Sequence, residues 1–346
     1  MTLLFALLAC APTKATDAAE SADADTDTDT DTDTDTGARP DGWYFPEGAP
    51  WYSPVADAAV DPASDAIVAA LQARGWGPGV DRFQIDWSLE VLDATADTDR
   101  RTFEPTADFY TPDCDAVPMP VPADGNLEGE SGYACESDGD CHLLVADASA
   151  GTLYEMWRAD IRGDTFRGGC LAVWSMNEVY PPDGRGDQCT SADAAGYPIA
   201  PLLFTADEVA AGFIPHALRL ILPNDIITDG VFHHPATHAT NAGGGAAGAS
   251  VPYGARLRLK ADFDMTRLPD PDARVVAEAL QTYGMFLADG GNIPLSARSD
   301  ARTAHTWDEL FEDGSHALYG IEPQDFEVLA LDEAIPLTFD CVRNGR

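Results

Sequence analysis

Lysine is nearly missing from this chain of 346 residues: Lys14 and Lys260 are the only two, and with 18 arginines they stand against 59 acids. A net charge of −39 leaves no broad basic surface, which argues against binding DNA, RNA or anionic lipid through bulk charge. No apolar run approaches the about 20 residues that a membrane-spanning helix needs. No Cys-x-x-Cys occurs, which argues against structural zinc. No Gly-x-Ser-x-Gly elbow occurs either, which argues against an α/β-hydrolase. The Gly-rich stretch 243–248 lacks the Lys-Ser/Thr ending of a phosphate loop and reads as a mobile loop over a cleft.

Cysteine is present and informative. The chain has seven, and setting Cys10 aside leaves Cys114, Cys135, Cys141, Cys170, Cys189 and Cys341. An even remainder fits three disulfides in an oxidising compartment, with Cys135 and Cys141 as the nearest neighbours and the expected short loop. The N-terminus, "MTLLFALLAC", carries an apolar run into Leu7-Leu8-Ala9-Cys10. It resembles a bacterial lipobox, and the resemblance implies a leader over 1–10, acylation of Cys10 and attachment to a membrane of the cell envelope. An ordinary secretory signal is the plainer alternative. Residues 11–40 follow, with "DADTDTDTDTDTDTG" at 23–37. Nothing there is apolar, so no core offsets the ordering entropy. The segment reads as a self-repelling, disordered tether.

Residues 41–346 read as one disulfide-stapled domain. "RFQIDWSLEVL" (82–92) alternates apolar and polar residues, the pattern of a half-buried strand. Segments 142–147, 152–161, 169–176, 216–222, 254–263, 285–289 and 337–341 also read as strands. Helices are few. The spacing predicts one over 61–75, a short turn over 206–212, and one over 270–284. In the last, Asp270 serves as N-cap, Pro271 opens the first turn and Gly284 ends it. The fold class expected is mainly β: a β-sandwich, jelly-roll-like, with a few peripheral helices.

The middle of the chain carries, in order, "DGDCHLLVAD…TLYEMW", "TSADAAGYPIAPLLFTADEVAAGFIPHALRL", "HHPATH", "YGARLRLKADFD" and "ALQTYGMFLADGG". These segments, over about residues 138–329, resemble a family of secreted bacterial β-rich proteins from actinobacteria and myxobacteria. Thr237 and "WSMNE" depart from the family's pattern, and the additional cysteines are peculiar to this chain. The resemblance implies a secreted module that accompanies carbohydrate-binding or adhesive domains.

Histidines and acids supply the candidate chemistry. His142 and His216 open strands, and His238 lies with His233 and His234 in "FHHPATHATNAGGGAAGAS". Asp140, His142, His216 and His238 are the candidate ligands of a divalent metal, calcium or a transition metal, and the histidines are alternatively general bases for work on a sugar. "CESDGDCH" places Asp138 and Asp140 in a calcium-like loop that lacks the acid closing an EF-hand. Each histidine is otherwise a strand-end or loop residue. Glu155, between Leu153 and Trp157 on one strand face, is either buried with a partner or lines a cleft. Glu155 and Asp289 form the candidate carboxylate pair of a glycosidase.

"VPYGARLRLKADF" (251–263) sets Arg256, Arg258 and Lys260 on one strand face and Leu257 and Leu259 on the other. Like charges side by side need a negative partner. Either neighbouring acidic strands supply it, or an anionic glycan does, bound by these three residues in the same cleft as the histidines. The functional expectation is a cell-envelope lipoprotein, glycan-cleaving as a glycoside hydrolase or polysaccharide lyase. The alternative is a non-catalytic glycan-binding or adhesive surface module.

Overall fold

The computed structural model describes residues 43–137 and 139–345; the leader with Cys10, the tether 11–40 and Asp138 lie outside the described residues. Two sheets organise the described chain. Their strands are β1 (Ile85–Leu89), β2 (Val91–Ala94), β3 (Leu143–Asp147), β4 (Thr152–Trp157), β5 (Cys170–Ser175), β6 (Leu218–Leu222), β7 (Arg256–Leu259), β8 (Met285–Gly290), β9 (Leu295–Arg298) and β10 (Phe326–Val328). The larger sheet runs β1-β9-β6-β8-β7-β10 and the smaller β5-β4-β3-β2. Three smaller ribbons complete a mainly β architecture; one of them joins Val251–Tyr253 to Ile227–Phe232.

The alternation at 82–92 is real but belongs to two sheets. β1 pairs with β9, β2 pairs with β3, and Glu90 stands between them. Glu90 is buried, its carboxylate accepting from the Asn126 backbone and side chain and from Arg302. A paired, hydrogen-bonded acid can sit at this crossing where an unpaired one cannot.

The smaller sheet is covered on both faces. Along β3, Leu144 and Ala146 face the main core while Leu143 and Val145 face a second cluster with Met119, Met156 and Phe166. This two-residue period explains why β3 is apolar throughout rather than alternating. On β4, Leu153 and Glu155 share the face toward the main core, so Glu155 enters it with no exposed surface.

The helices are α1 (Ser64–Arg74), α2 (Ala206–Ala211), α3 (Pro271–Thr282) and α4 (Trp307–Leu310). Asp270 caps α3 by accepting from the Asp272 amide, and Gly284, at φ 66°, follows the helix into β8. Thr205 and Glu208 form a reciprocal capping box on α2. α1 packs on β10 and α3 on β7.

Three disulfides form: Cys114–Cys170, Cys135–Cys141 and Cys189–Cys341. They fit an oxidising, extracytoplasmic compartment, and among the described residues no helix is long and apolar enough to cross a membrane. The jelly-roll expectation implies antiparallel strands, whereas β1/β9, β6/β8 and β2/β3 run parallel. The segment 337–341, read as a strand, forms none; Ile335–Pro336 pairs instead, and Cys341 is held by its disulfide.

Candidate functional site

Arg219 is the one charged residue of β6, set among Leu218, Leu220 and Leu222, and it is almost wholly buried. Such a cation needs a partner. Asp193, with no exposed surface, receives it through Nε at 3.1 Å and Nη2 at 2.8 Å, and Ser296 accepts from Nη1 at 2.9 Å. Beside this pair the ladder of β6 and β8 slips: Leu220 faces Leu287, but Ile221 faces Asp289. Ala288 is the extra residue, and its carbonyl accepts from Ala195. A bulge re-aims the side chain that follows. Here that side chain is Asp289, which turns into a cavity of about 420 Å³ with Asp140, His238, Trp157 and Tyr253.

Residues 190–194 line this cavity, and buried polar groups hold them and the turn that follows, 195–200. Glu155 accepts from the Ile199 and Ala200 amides, both at 2.8 Å, and from the Trp174 indole at 3.1 Å. Burial pushes Glu155 up to about 7, against the pull of the two amides. His142 contacts Glu128 through Nδ1 at 2.6 Å and the Ala192 carbonyl through Nε2 at 2.9 Å. Both partners are acceptors, so both ring nitrogens donate. Burial lowers the His142 pKa, but the Glu128 carboxylate outweighs it and raises it to about 9. Burial likewise opposes ionisation of Glu128, and the imidazolium overrides it, bringing Glu128 to about 2.

His238 differs. Its Nδ1 lies 3.0 Å from the Ala194 carbonyl and must donate to it, so Nε2 carries the lone pair. Burial lowers its pKa, which keeps the ring neutral at neutral pH. Asp289 accepts from its own following amide, Gly290, at 2.7 Å and from Ala194 at 3.4 Å. Arg219 Nη2 stands 3.6 Å away. Burial, then repulsion from Asp193, raises Asp289 to about 7. Asp140 is exposed and holds the Trp157 indole through a 2.9 Å hydrogen bond. The cavity therefore contains one carboxyl driven toward its neutral form, Asp289, one solvent-facing carboxylate, Asp140, the hydrogen-bonded side chains of Asp113 and Asp193, and one basic imidazole nitrogen.

Aromatic rings frame the opening. Tyr110 is 57 % exposed and Phe339 55 %, unusual values for rings of this size, and Trp157 is half-buried. Phe339 meets His238 edge-on at 5.7 Å. It has φ 63°, a left-handed conformation that a bulky residue adopts at a cost. Among the described residues, the other non-glycine residues with positive φ are Cys141, Arg158 and Gln188. The first two directly follow the lining residues Asp140 and Trp157, and Gln188 lies two before Thr190. Backbone strain thus gathers around this cavity, as it does around working sites.

Several expectations are corrected. His216 has no exposed surface and faces α2, with Nδ1 on the Ala217 carbonyl at 2.8 Å and Nε2 3.3 Å from Glu208. Asp140, His142, His216 and His238 do not form a metal site: the two His142 nitrogens are occupied, and His216 is elsewhere. Among the described residues, ligand-type atoms converge only at Glu130, Cys135 and Cys141, whose two sulfurs are bonded to each other. Glu155 has no exposed surface and does not line this cavity, so it cannot pair with Asp289 across a substrate.

The cationic strand serves the fold. Arg256 donates to the carbonyls of Tyr283, Pro50 and Ser53 and lies over Phe286. Arg258 binds the carbonyls of Val55, Ala56 and Ala58 and the Glu327 carboxylate of β10, its register partner. Lys260 donates to the Gln324 carbonyl at 2.8 Å. None of the three lines the cavity of Asp289. The neighbouring acidic strand accounts for one charge, and backbone carbonyls take most of the remaining donors. The Gly-rich stretch is no lid either. Gly245 bonds to the Ile227 carbonyl, and a Cβ there would stand 2.3 Å from that of Ser250.

Sequence reasoning missed Asp193, Arg219, Glu128, Tyr253 and the rim aromatics. A lone Arg in "HALRLIL" was the one available signal, since a cation in an apolar strand requires a buried acid. No protein-family model, curated protein or solved structure matches this chain.

Proposed function

We propose that this is a glycan-cleaving protein of the cell envelope, held at a membrane through an acylated Cys10 and working in the cavity of Asp289. The observation that carries the reading is the pairing, in one aromatic-rimmed cavity, of a buried carboxyl and a solvent-facing carboxylate. Asp289 lies in a setting that favours its protonated form, and Asp140 lies open to water. Glycoside hydrolysis needs a carboxylic acid to protonate the leaving oxygen and a carboxylate to stabilise the sugar cation or activate water. Asp289 takes the first role and Asp140 the second. Exposed Tyr110 and Phe339 offer apolar faces to pyranose rings, and His238 Nε2 and Tyr253 offer polar contacts to their hydroxyls.

Hydrolysis fits better than elimination. A lyase must neutralise a uronate carboxylate, and among the described residues no Lys or Arg lines this cavity. The test is release of reducing ends from a panel of polysaccharides by wild type and by Asp289→Asn. Cleavage that Asp289→Asn abolishes supports the proposal. Binding without cleavage by wild type indicates the non-catalytic glycan module instead, and neither binding nor cleavage overturns the glycan reading.

A further inference from the structure

We infer that the ligand of this cavity is cationic: a glycan whose sugars carry free amino groups, bound in their ammonium form. The inference rests on the glycan reading and names its substrate class, reversing the anionic glycan that the sequence pointed to.

The charge of the lining is one-sided. Asp113, Asp140, Asp193 and Asp289 line the cavity, Asp289 being the one driven toward its neutral form, and among the described residues no Lys or Arg does. Arg219, behind the wall, is taken up by its two-point contact with Asp193, so that pair adds no net charge. Arg185 and Arg343 approach Asp113, but they donate to its backbone carbonyl and leave the carboxylate, which accepts the Thr190 amide. His238, the remaining basic group of the lining, donates to Ala194 and stays neutral. A cleft lined by one sign concentrates the opposite sign, and the chain's net charge of −39 reinforces that field.

A second observation is independent of charge. Tyr253 is 1 % exposed and lines the cavity, yet among the described residues its hydroxyl has no hydrogen-bond partner. The hydroxyl is not sealed off: it reaches the open cavity, where a ligand donor takes the place of water. Its pKa is raised well above that of an ordinary tyrosine, first by burial and then by Asp289 and Asp193, so it remains a neutral hydroxyl able to accept from an ammonium group. Tyr110 and Phe339 at the rim add ring faces that attract cations as well as sugar rings. A uronate would place its carboxylate beside Asp113 and Asp140, with no Lys or Arg among the described lining residues to offset it.

The test is calorimetric titration of the purified chain with three oligosaccharides of equal length: glucosamine oligomers with free amines, the same oligomers fully N-acetylated, and oligogalacturonate. The free-amine oligomer is expected to bind about tenfold more tightly than the acetylated one, a ratio equal to ~1.4 kcal/mol. Added salt should erode that preference, and Asp140→Asn and Tyr253→Phe, each checked for folding by circular dichroism, should each reduce it. The uronate should not bind. Equal or tighter binding of the acetylated oligomer, or binding of the uronate, overturns the charge inference and leaves the glycan reading standing. Binding by none of the three overturns both.

Discussion

Asp289 and His238 are tied to the two sides of one peptide residue: the Ala194 amide donates to Asp289 at 3.4 Å, and the Ala194 carbonyl accepts from His238 at 3.0 Å. The wall that carries Ala194 therefore sets both groups at once. Buried His142 holds that wall through Ala192, and Glu155 holds the turn beyond it through Ile199 and Ala200.

Asp289 makes activity and stability respond to pH in a defined direction. Its folded pKa of about 7 lies above the ordinary 3.8, so the folded state holds its proton more tightly than the unfolded chain. Stability contributed by the neutral form is full below 3.8 and is lost as pH rises through about 7. Asp289→Asn should raise stability by about 1–3 kcal/mol at pH 8 and little at pH 4, read by denaturant titration. Glycan cleavage by wild type should fall as pH rises through about 7, because the general acid loses its proton.

The Glu128–His142 pair runs between two limits. Glu128 is depressed to about 2, so its contribution is present above 4.5 and is lost as pH falls toward 2. His142 is raised to about 9, so its contribution is present below 6.5 and is lost as pH rises through 9. His142→Ala should cost about 3–5 kcal/mol at pH 5.5 by denaturant titration, and the difference should shrink above pH 9. A constant difference across that range would show that packing, not charge, dominates.

Arg258→Ala separates the two explanations of the cationic strand. Its guanidinium ties carbonyls of residues 55, 56 and 58 to β7 and pairs with Glu327. Loss should lower stability by about 3 kcal/mol and leave ligand affinity in the Asp289 cavity unchanged by calorimetry. Weaker binding at unaltered stability would return Arg258 to the ligand site.

The Cys189–Cys341 disulfide closes 152 residues and brings Phe339 to His238. Replacing both cysteines by serine should cost about 4 kcal/mol and weaken ligand binding by about tenfold as the ring loses its fixed position. Unaltered affinity in a destabilised variant would remove Phe339 from the ligand's contacts.

Cys10→Ala tests the anchor. Wild type expressed in a bacterial envelope should partition into detergent with a lipid on Cys10, and the variant should appear in the soluble fraction. Soluble wild type without Cys10 would end the lipoprotein reading.

Local chemistry made some features legible in the sequence. Asp270, Pro271 and Gly284 bound α3, six cysteines make three disulfides with Cys135 and Cys141 as neighbours, and Leu257 and Leu259 enter the core opposite the cationic face. Each follows from a cap, a parity or a two-residue period, which a short window contains. Glu155 was legible as an acid that had to be buried with partners or lie in a cleft. The choice between these required knowing that Ile199 and Ala200 lie against it. Only tertiary structure decided that 82–92 splits between two sheets at Glu90 and that His216 leaves the other histidines for Glu208. It also decided that Arg256 and Arg258 spend their donors on the carbonyls of residues 50–58. A charged side chain takes whichever partner the fold brings within about 3 Å, and a carbonyl some 200 residues away leaves no mark on the pattern around the arginine.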